Sequence, residues 1–197
     1  MESVARSARS GERPFTASLS VLSADQRASH AVIRVTSEGT TEFIDITDRI
    51  DALVTAAGIR IGLVNIQTLH TTTAIVVNEH EPLLLGDFET TLQHFAPRDA
   101  RYRHDETILR TVNLTPDERV NGHAHCQSLV LNASVCLNVV GGKVLLGRWQ
   151  RVFFVELDGS RERSVSVMVT GEAHRSPNKP RRHHQRRAAR LRADGPR

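Results

Sequence analysis

Four of the ten histidines lie in short polar segments that border strand-like or helix-like runs. They are His70, His104, His123 and His125. If the fold brings three imidazoles together, they make a tetrahedral metal site with one open position, as in catalytic zinc centres. The alternative is a set of surface histidines with ordinary pKa values, and the spacing alone leaves both interpretations open.

Acidic residues close to these histidines could complete such a site. The nearest in sequence are Glu79, Asp87 and Asp105. A carboxylate there could orient a ligand imidazole or accept a proton from metal-bound water. Asp87 falls in the first half of a helix-like run, where an acid also favours the helix dipole, so Glu79 is the stronger candidate of these two.

The segment around His125 carries two further candidate ligands. Ser128 follows His125 by three residues, so the two side chains would share a face of a short helix over residues 124–131. The Ser128 hydroxyl could bind a phosphate or a metal-bound water, or it could bond locally to the backbone. Cys126 could be a thiolate ligand, although its apolar neighbours favour an inert, buried thiol.

The elements that must position these residues are mainly strands. Strand-like runs occupy residues 31–35, 41–46, 61–67, 73–77, 135–140, 143–147, 150–157 and 163–170. Turn residues at 37–39, 141–142 and 158–159 predict that three pairs of these runs form hairpins. Residues 47–57 and 82–95 have the apolar spacing of helices, with Thr47 as a predicted N-cap and Gly58 as a predicted stop. The pattern predicts one compact α+β domain with a central mixed or antiparallel sheet and two or three helices.

Composition divides the chain into three parts. Residues 1–14 are small, polar and charged, which predicts a disordered extension before a domain over residues 15–172. Residues 173–197 form an Arg-rich tail with almost nothing apolar to bury, which predicts disorder there too. The tail could bind nucleic acid by releasing counterions, but it has no aromatic residue for base stacking, so a solvated extension is the preferred interpretation.

The sequence also suggests a cellular compartment. It has no run of about 20 apolar residues that could span a membrane and no apolar segment typical of a secretion signal. Its two cysteines suit neither a disulfide framework nor a four-thiolate zinc site. We therefore expect a cytoplasmic protein without a membrane partner.

Six ordered motifs make the sequence resemble a known family. They are His70-Thr71-Thr72, Asn78-Glu79, Asp87, His104-Asp105, Asn121-Gly122-His123-Ala124-His125 and Gly147-Arg148-Trp149-Gln150. With the closing segment from Glu156 to Arg163, they resemble the YjbQ family, also called the secondary thiamine-phosphate synthase family. The resemblance covers about residues 17–171, and Arg148 departs from it where threonine is usual.

The resemblance implies a fold, an assembly and a site. It implies a compact α+β domain that assembles as a homotrimer. It implies that three histidines hold a metal or an anion, with His125 preferred over His123 because the latter position varies in the family. These ligands would be His70, His104 and His125. Four residues would lie near them: Glu79, Asp105 and Ser128 in catalytic roles, and Asn121 as a ligand-binding residue. Whether His123, Asp87 or Cys126 joins the site stays open.

The activity that the resemblance implies is thiamine-phosphate synthesis, in which a pyrimidine pyrophosphate joins a thiazole phosphate and pyrophosphate leaves. A metal ion and the histidines would stabilise the departing charge. Imidazoles suit a zinc-type ion best, whereas pyrophosphate chemistry normally uses Mg²⁺ on oxygen ligands, so magnesium stays possible. Two alternatives are a metal-dependent hydrolase or lyase on a small phosphorylated metabolite, and a non-catalytic module that binds a metabolite or a metal.

Overall fold

The structure is a computed structural model that describes residues 26–173. Its strands are β1 (Gln26–Thr36), β2 (Glu42–Asp45), β3 (Ile59–Thr68), β4 (Thr73–Glu79), β5 (Ser134–Val140), β6 (Lys143–Val144), β7 (Gln150–Glu156) and β8 (Glu162–Ala173). Its helices are α1 (Thr47–Ala57), α2 (Pro82–Phe95) and α3 (Gly122–Leu129), and a 3-10 turn covers Arg103–Asp105. Within the described range no helix is long and apolar enough to cross a bilayer.

Two antiparallel sheets form the framework of the fold. A five-stranded sheet has the order β1-β8-β3-β5-β6, and a three-stranded sheet has the order β2-β7-β4. Every strand pair in both sheets is antiparallel. The predicted α+β class is confirmed, with three helices and the sheet divided into two layers.

One of the three predicted hairpins is correct, and two are wrong. β5 pairs with β6 across Gly141 and Gly142, whose positive φ angles of 63° and 82° suit a glycine turn. By contrast, β1 pairs with β8 while β2 pairs with β7, so the turn near Gly39 carries the chain from one sheet to the other. The loop at Asp158 and Gly159 makes the same change of sheet between β7 and β8.

The apolar core explains this arrangement. The larger cluster of buried side chains joins both sheets to α1, with Ile50 and Val54 contributed by the helix. A smaller cluster packs the other face of the three-stranded sheet against α2 and α3. β7 is therefore covered on both faces, as its unbroken apolar run of Val152, Phe153, Phe154 and Val155 requires.

Local chemistry defines the helix ends. Gly58 ends α1 in the left-handed region at φ 64°, as predicted. The predicted N-cap at Thr47 is wrong by one residue, because Thr47 is the first helical residue and its N–H donates to Asp45 Oδ1. At the start of α2, the Glu81 carboxylate accepts from two backbone N–H groups of the first turn.

The folded strand β8 passes the predicted boundary at residue 172. It continues to Ala173, which pairs with Ile59 and is buried. The predicted disordered segment 1–14, the predicted start of the domain at residue 15 and the tail from residue 174 lie outside the described residues.

Candidate functional site

Four connecting segments meet at one end of the three-stranded sheet. They are the turn 69–72, the 3-10 turn Arg103–Asp105, helix α3 and the loop 157–161, which together we call the loop cluster. Antiparallel pairing of Thr73 with Glu156 places the first and last of these side by side. The Ser128 hydroxyl donates to the Thr71 carbonyl at 2.8 Å, which ties α3 to the turn 69–72.

A buried ion pair supports the loop cluster from below. Arg163 donates to both carboxylate oxygens of Glu156, at 2.7 and 2.6 Å, and both side chains are almost fully buried. Glu156 also accepts from the Ser37 hydroxyl and from the backbone N–H groups of residues 157–159. Burial would raise the pKa of Glu156, but the hydrogen bonds from Arg163 and the backbone outweigh it, so this pKa lies below its ordinary value.

A second ion pair, between Asp158 and Arg161, lies next to the first. Asp158, which is 5% exposed, accepts from Arg161 at 2.7 Å and from the side-chain amide of Asn121 at 3.4 Å, both at Oδ2. The Nε of Arg161 and the Oδ1 of Asn121 are buried and find no hydrogen-bond partner among the residues that the structure describes.

Two of the three predicted ligand histidines lie together. The ring centroids of His104 and His125 are 4.5 Å apart. Arg110 Nη1 lies 3.2 Å from His104 Nε2 and 2.7 Å from Glu118 Oε1. Because a guanidinium can only donate, His104 Nε2 is an acceptor in this arrangement. Burial lowers the pKa of His125, and the positive charge of Arg110 acts in the same direction, although Asp158 opposes them.

His70 faces different neighbours. Its Nε2 accepts from the Ser164 N–H at 2.9 Å, so its hydrogen resides on Nδ1. Burial and the charge of Arg163 lower the pKa of His70, while Glu156 opposes them. The charges that act on His70 are those of Arg163, Glu156 and Arg161, whereas those that act on His125 include Arg110, Glu118 and Asp158.

The geometry of the histidines bears on the expected metal. Within residues 26–173, no three side chains from His, Cys, Asp and Glu are arranged so that they could hold one metal ion. An open zinc-type site needs three protein ligands, and in this arrangement His104 and His125 offer two imidazoles on their own. The residues therefore do not fit a complete zinc site within one chain, and the metal stays a prediction.

Asp105, Ser128 and Asn121, which were predicted to lie near the ligand histidines, are all in the loop cluster. Their hydrogen bonds mainly hold the backbone in place. Asp105 Oδ1 accepts from the N–H groups of Asn121 and Gly122 at 3.0 and 2.9 Å, which caps α3 from outside the helix. The single hydrogen of the Ser128 hydroxyl is shared between the carbonyls of Thr71 and His125, and the bond to His125 is the local bond that was one of its two interpretations. Asn121 reaches Asp158. Asp105 and Ser128 thus hold the backbone that carries His125.

The expectation that Glu79 lies beside the histidines is wrong. Glu79 ends β4 and pairs with Gln150, whereas the turn with His70 precedes the start of β4 at Thr73. Seven residues of extended strand separate the two ends by about 20 Å at roughly 3.3 Å per residue. Asp87 lies on an exposed position of α2. The length of β4 therefore puts the Glu79 carboxylate too far from His70 for a hydrogen bond between them.

His123 is fully buried, whereas His125 is partly exposed. Burial and the charge of Arg98 lower the pKa of His123, although the Leu157 backbone and Asp158 act in the opposite direction. Gly122 allows the start of α3 to pack against Tyr102, because a Cβ on residue 122 would lie 2.4 Å from the Cβ of Tyr102. Cys126 is partly exposed and is not paired in a disulfide.

Two open cavities adjoin the loop cluster. The first, of about 420 Å³, is lined by Arg103, His104, Leu109, Arg110, Val112 and Asn113. The second, of about 360 Å³, is lined by Thr115, Asp117, Glu118, Arg119, Asn121 and Arg161. Arg110 lines the first and its ion-pair partner Glu118 lines the second, so this pair lies between them. The first cavity has cationic and neutral lining residues, and the second has mixed charges.

The sequence interpretation missed the arginines and acids that build this site. They are Arg110, Glu118, Glu156, Asp158, Arg161 and Arg163. The signal for the last four was present, because they lie in the charged segment from Glu156 to Arg163, between two strand-like runs, which was already part of the family resemblance. Arg110 and Glu118 lie in a segment without regular periodicity, where the sequence gives no indication of a partner.

Comparisons with known proteins identify the family. The profile described as "UPF0047 protein YjbQ-like" matches residues 31–172. The chain belongs to this family. A UPF0047 protein of Methanothermobacter thermautotrophicus is 37% identical over 131 residues, which are 66% of this chain and 84% of that protein. One of Archaeoglobus fulgidus is 40% identical over 126 residues, covering 64% and 89%.

Solved structures agree with this assignment. A crystal structure described as a YbjQ-like protein of unknown function, from Sulfolobus solfataricus P2, has a TM-score of 0.68 at 34% identity and covers 75% of this chain and all of its own. A hypothetical protein from Aeropyrum pernix K1 has a TM-score of 0.65 at 31% identity, covering 73% and 99%. The predicted family and fold are confirmed.

Proposed function

We propose that this UPF0047 chain is an enzyme that binds a small phosphorylated metabolite in the first cavity. The observation that carries the proposal is the cavity lining, in which Arg103, Arg110 and His104 meet with no carboxylate among the lining residues. Guanidinium groups bind phosphate oxygens through charge-assisted, paired hydrogen bonds. The Glu118 carboxylate holds Arg110 at the edge of the cavity and balances its charge, so Arg103, which has no ion-pair partner within residues 26–173, supplies the free positive charge of the lining.

His125 is the proposed proton carrier. Its lowered pKa keeps the imidazole neutral at pH 7, so one ring nitrogen can accept a proton from the bound metabolite. His104, whose ring adjoins that of His125, lines the cavity itself. Asp105 and Ser128 act by positioning α3, and Asn121 contributes to the neighbouring cavity.

Thiamine-phosphate synthesis is one reaction of this class. Both of its substrates carry phosphate groups, and the two cavity arginines would stabilise the charge on the departing pyrophosphate. The resemblance to the YjbQ family suggests this reaction, and the cationic cavity is compatible with it.

A second candidate is a metal-dependent hydrolase or lyase on the same class of metabolite. It is favoured by the adjacent imidazoles of His104 and His125, which could supply two nitrogen ligands to a zinc-type ion. A third ligand would have to come from elsewhere, such as a second copy of the chain in the proposed homotrimer.

Turnover assays distinguish these candidates. Purified protein would be given the pyrimidine pyrophosphate and thiazole phosphate, and separately a mixture of phosphorylated metabolites, with no added metal, with Zn²⁺ and with Mg²⁺. We expect depletion of a phosphorylated compound by the wild type, a loss of at least a hundredfold in His125→Ala, and no loss in His94→Ala, since His94 lies on an exposed position of α2. Binding without turnover would indicate the non-catalytic module instead.

A further inference from the structure

The first cavity combines an arginine with exposed apolar side chains. Leu109 and Val112 line it and are 65% and 68% exposed, so both can contact a bound molecule. The second cavity differs, because all six of its lining residues are polar. Single exposed apolar residues are common on protein surfaces, but two of them beside Arg103 in one cavity form a binding surface of mixed character.

One guanidinium group brings the apolar and cationic parts of the lining together. Arg110 Nε donates to the Val112 carbonyl at 3.2 Å, and Arg110 Nη1 lies 3.2 Å from His104 Nε2. Arg110 therefore joins the segment that carries Val112 to the imidazole in the cavity wall. Leu109 directly precedes Arg110 in the chain, and Arg103 directly precedes His104, so the two parts of the lining are adjacent.

The cavity leaves room for more than a phosphate group. Its volume of about 420 Å³ lies in the range of pockets that hold small organic molecules, roughly 300–1,000 Å³. Besides the two arginines and His104, the lining offers one polar side chain, that of Asn113. A hydroxyl group placed against Leu109 or Val112 would lose water without gaining a partner, whereas a CH₂ group there is stabilised by burial.

We propose that the first cavity binds phosphate esters of apolar alcohols, with the phosphate at Arg103 and the hydrocarbon group on Leu109 and Val112. This inference rests on the function proposed above and narrows its substrate class. Sugar and polyol phosphates would be poorer ligands, because their hydroxyl groups would lie against the two apolar side chains.

A series of matched ligands tests the inference. Calorimetric titration of the full chain would use inorganic phosphate, ethyl phosphate, butyl phosphate and erythritol 4-phosphate. The last two share the phosphate and four carbons and differ in three hydroxyl groups. Butyl phosphate should bind about five- to fifteenfold more tightly than ethyl phosphate, because it buries two more CH₂ groups. It should also bind at least about fivefold more tightly than erythritol 4-phosphate.

Two substitutions remove the apolar contact and leave the arginines in place. Leu109→Ser and Val112→Thr change exposed side chains, so both proteins should fold. Each should at least halve the preference for butyl over ethyl phosphate, and the double variant should abolish it, while the affinity for inorganic phosphate stays within about twofold of the wild type. Leu83→Ser is the matched control and should keep the full preference, because Leu83 is 79% exposed in the first turn of α2 and lines neither cavity.

The outcomes separate the inference from the proposed function. Equal wild-type affinities for ethyl phosphate, butyl phosphate and erythritol 4-phosphate would overturn the inference and leave the phosphate site intact. A preference for butyl phosphate that survives the double variant would also overturn it, since the hydrocarbon would then bind elsewhere. Failure of the wild type to bind inorganic phosphate or any of the esters would overturn the proposed function itself.

Discussion

His70, His123 and His125 share one electrostatic condition. Each loses water on folding and each lies near a positive charge, and both effects disfavour the imidazolium form. Their pKa values therefore lie below the usual value of about 6.5, and the three rings are neutral in the folded protein at pH 7. This neutrality is what the proposed role of His125 as a proton acceptor requires.

The same shifts predict how stability depends on pH. Below pH 6.5 the unfolded chain binds protons that these folded imidazoles do not, so the free energy of unfolding should fall as the pH drops from 7 to 5. His123→Gln should make this fall less steep, because the fully buried ring contributes to it. Urea unfolding at pH 5, 6 and 7 measures the slope. His94→Gln serves as the control and should leave it unchanged, and an unaltered slope in His123→Gln would contradict the assignment.

At the scale of elements, Asp105 holds the start of α3. Its carboxylate accepts from two backbone N–H groups, a role that a cap residue inside the helix would normally have. Asp105→Ala should lower the free energy of unfolding by about 1–2 kcal/mol. It should also weaken phosphate binding, because Arg103 and His104, which line the first cavity, lie in the same 3-10 turn as Asp105. Asp87→Ala removes an exposed carboxylate from α2 and is the control. Chemical denaturation and calorimetry check both effects, and equal results for the two variants would refute the capping role.

Two glycines test the packing of β3 against β8. Gly62 and Gly171 lie opposite each other, and a Cβ on Gly62 would lie 2.0 Å from the Thr170 carbonyl oxygen. Gly62→Ala should therefore destabilise the sheet by more than about 2 kcal/mol. Gly86→Ala is the matched change in α2, where a Cβ meets nothing within 4 Å, and it should stabilise the protein by about 0.5–1 kcal/mol. Thermal melts of the two variants should move in opposite directions, and a Gly62→Ala protein as stable as the wild type would show the approach to be wrong.

How far the sequence predicts the structure differs from element to element. Helices α1 and α2 and the glycine hairpin between β5 and β6 follow from local periodicity and turn chemistry. The pairing of β1 with β8 does not, because it joins residues more than a hundred positions apart and depends on the packing of two sheets. For the same reason, the sequence offers His104 and His125 as candidate ligands, but it does not indicate that Arg110 contacts both His104 and Glu118.

At the scale of the whole molecule, one face of the five-stranded sheet exposes apolar side chains. Val32, Ile61, Leu63, Val140 and Met168 are each between 40% and 52% exposed, and the strand register puts them on the same face. Such a patch is typical of a contact surface, and the homotrimer that the family resemblance implies would provide one. Light scattering at micromolar concentration should report three copies, and Leu63→Glu should reduce the mass to that of one chain. A monomeric wild type would contradict the assembly.

The Arg-rich tail gives a separate test of the domain boundary. Residues 174–197 have few apolar side chains, while β8 is paired as far as Ala173. Removal of residues 174–197 should change the melting temperature by no more than about 2 °C. Removal that begins at residue 165 deletes most of β8 and is the comparison, which should abolish folding. A loss of many degrees in the shorter deletion would move the boundary.

The first cavity is proposed to bind phosphate through its arginines. The most direct measurement is the calorimetric affinity for inorganic pyrophosphate in the wild type, in Arg103→Gln and in Arg148→Gln. Arg103 lines the cavity and has no ion-pair partner within residues 26–173, so its replacement leaves no buried charge behind. Arg148 stacks on Trp149 just before β7, at the end of that strand opposite the loop cluster.

We expect Arg103→Gln to weaken binding roughly tenfold or more and Arg148→Gln to leave it within twofold of the wild type. Equal affinities for the three proteins, or no binding by the wild type, would contradict the claim.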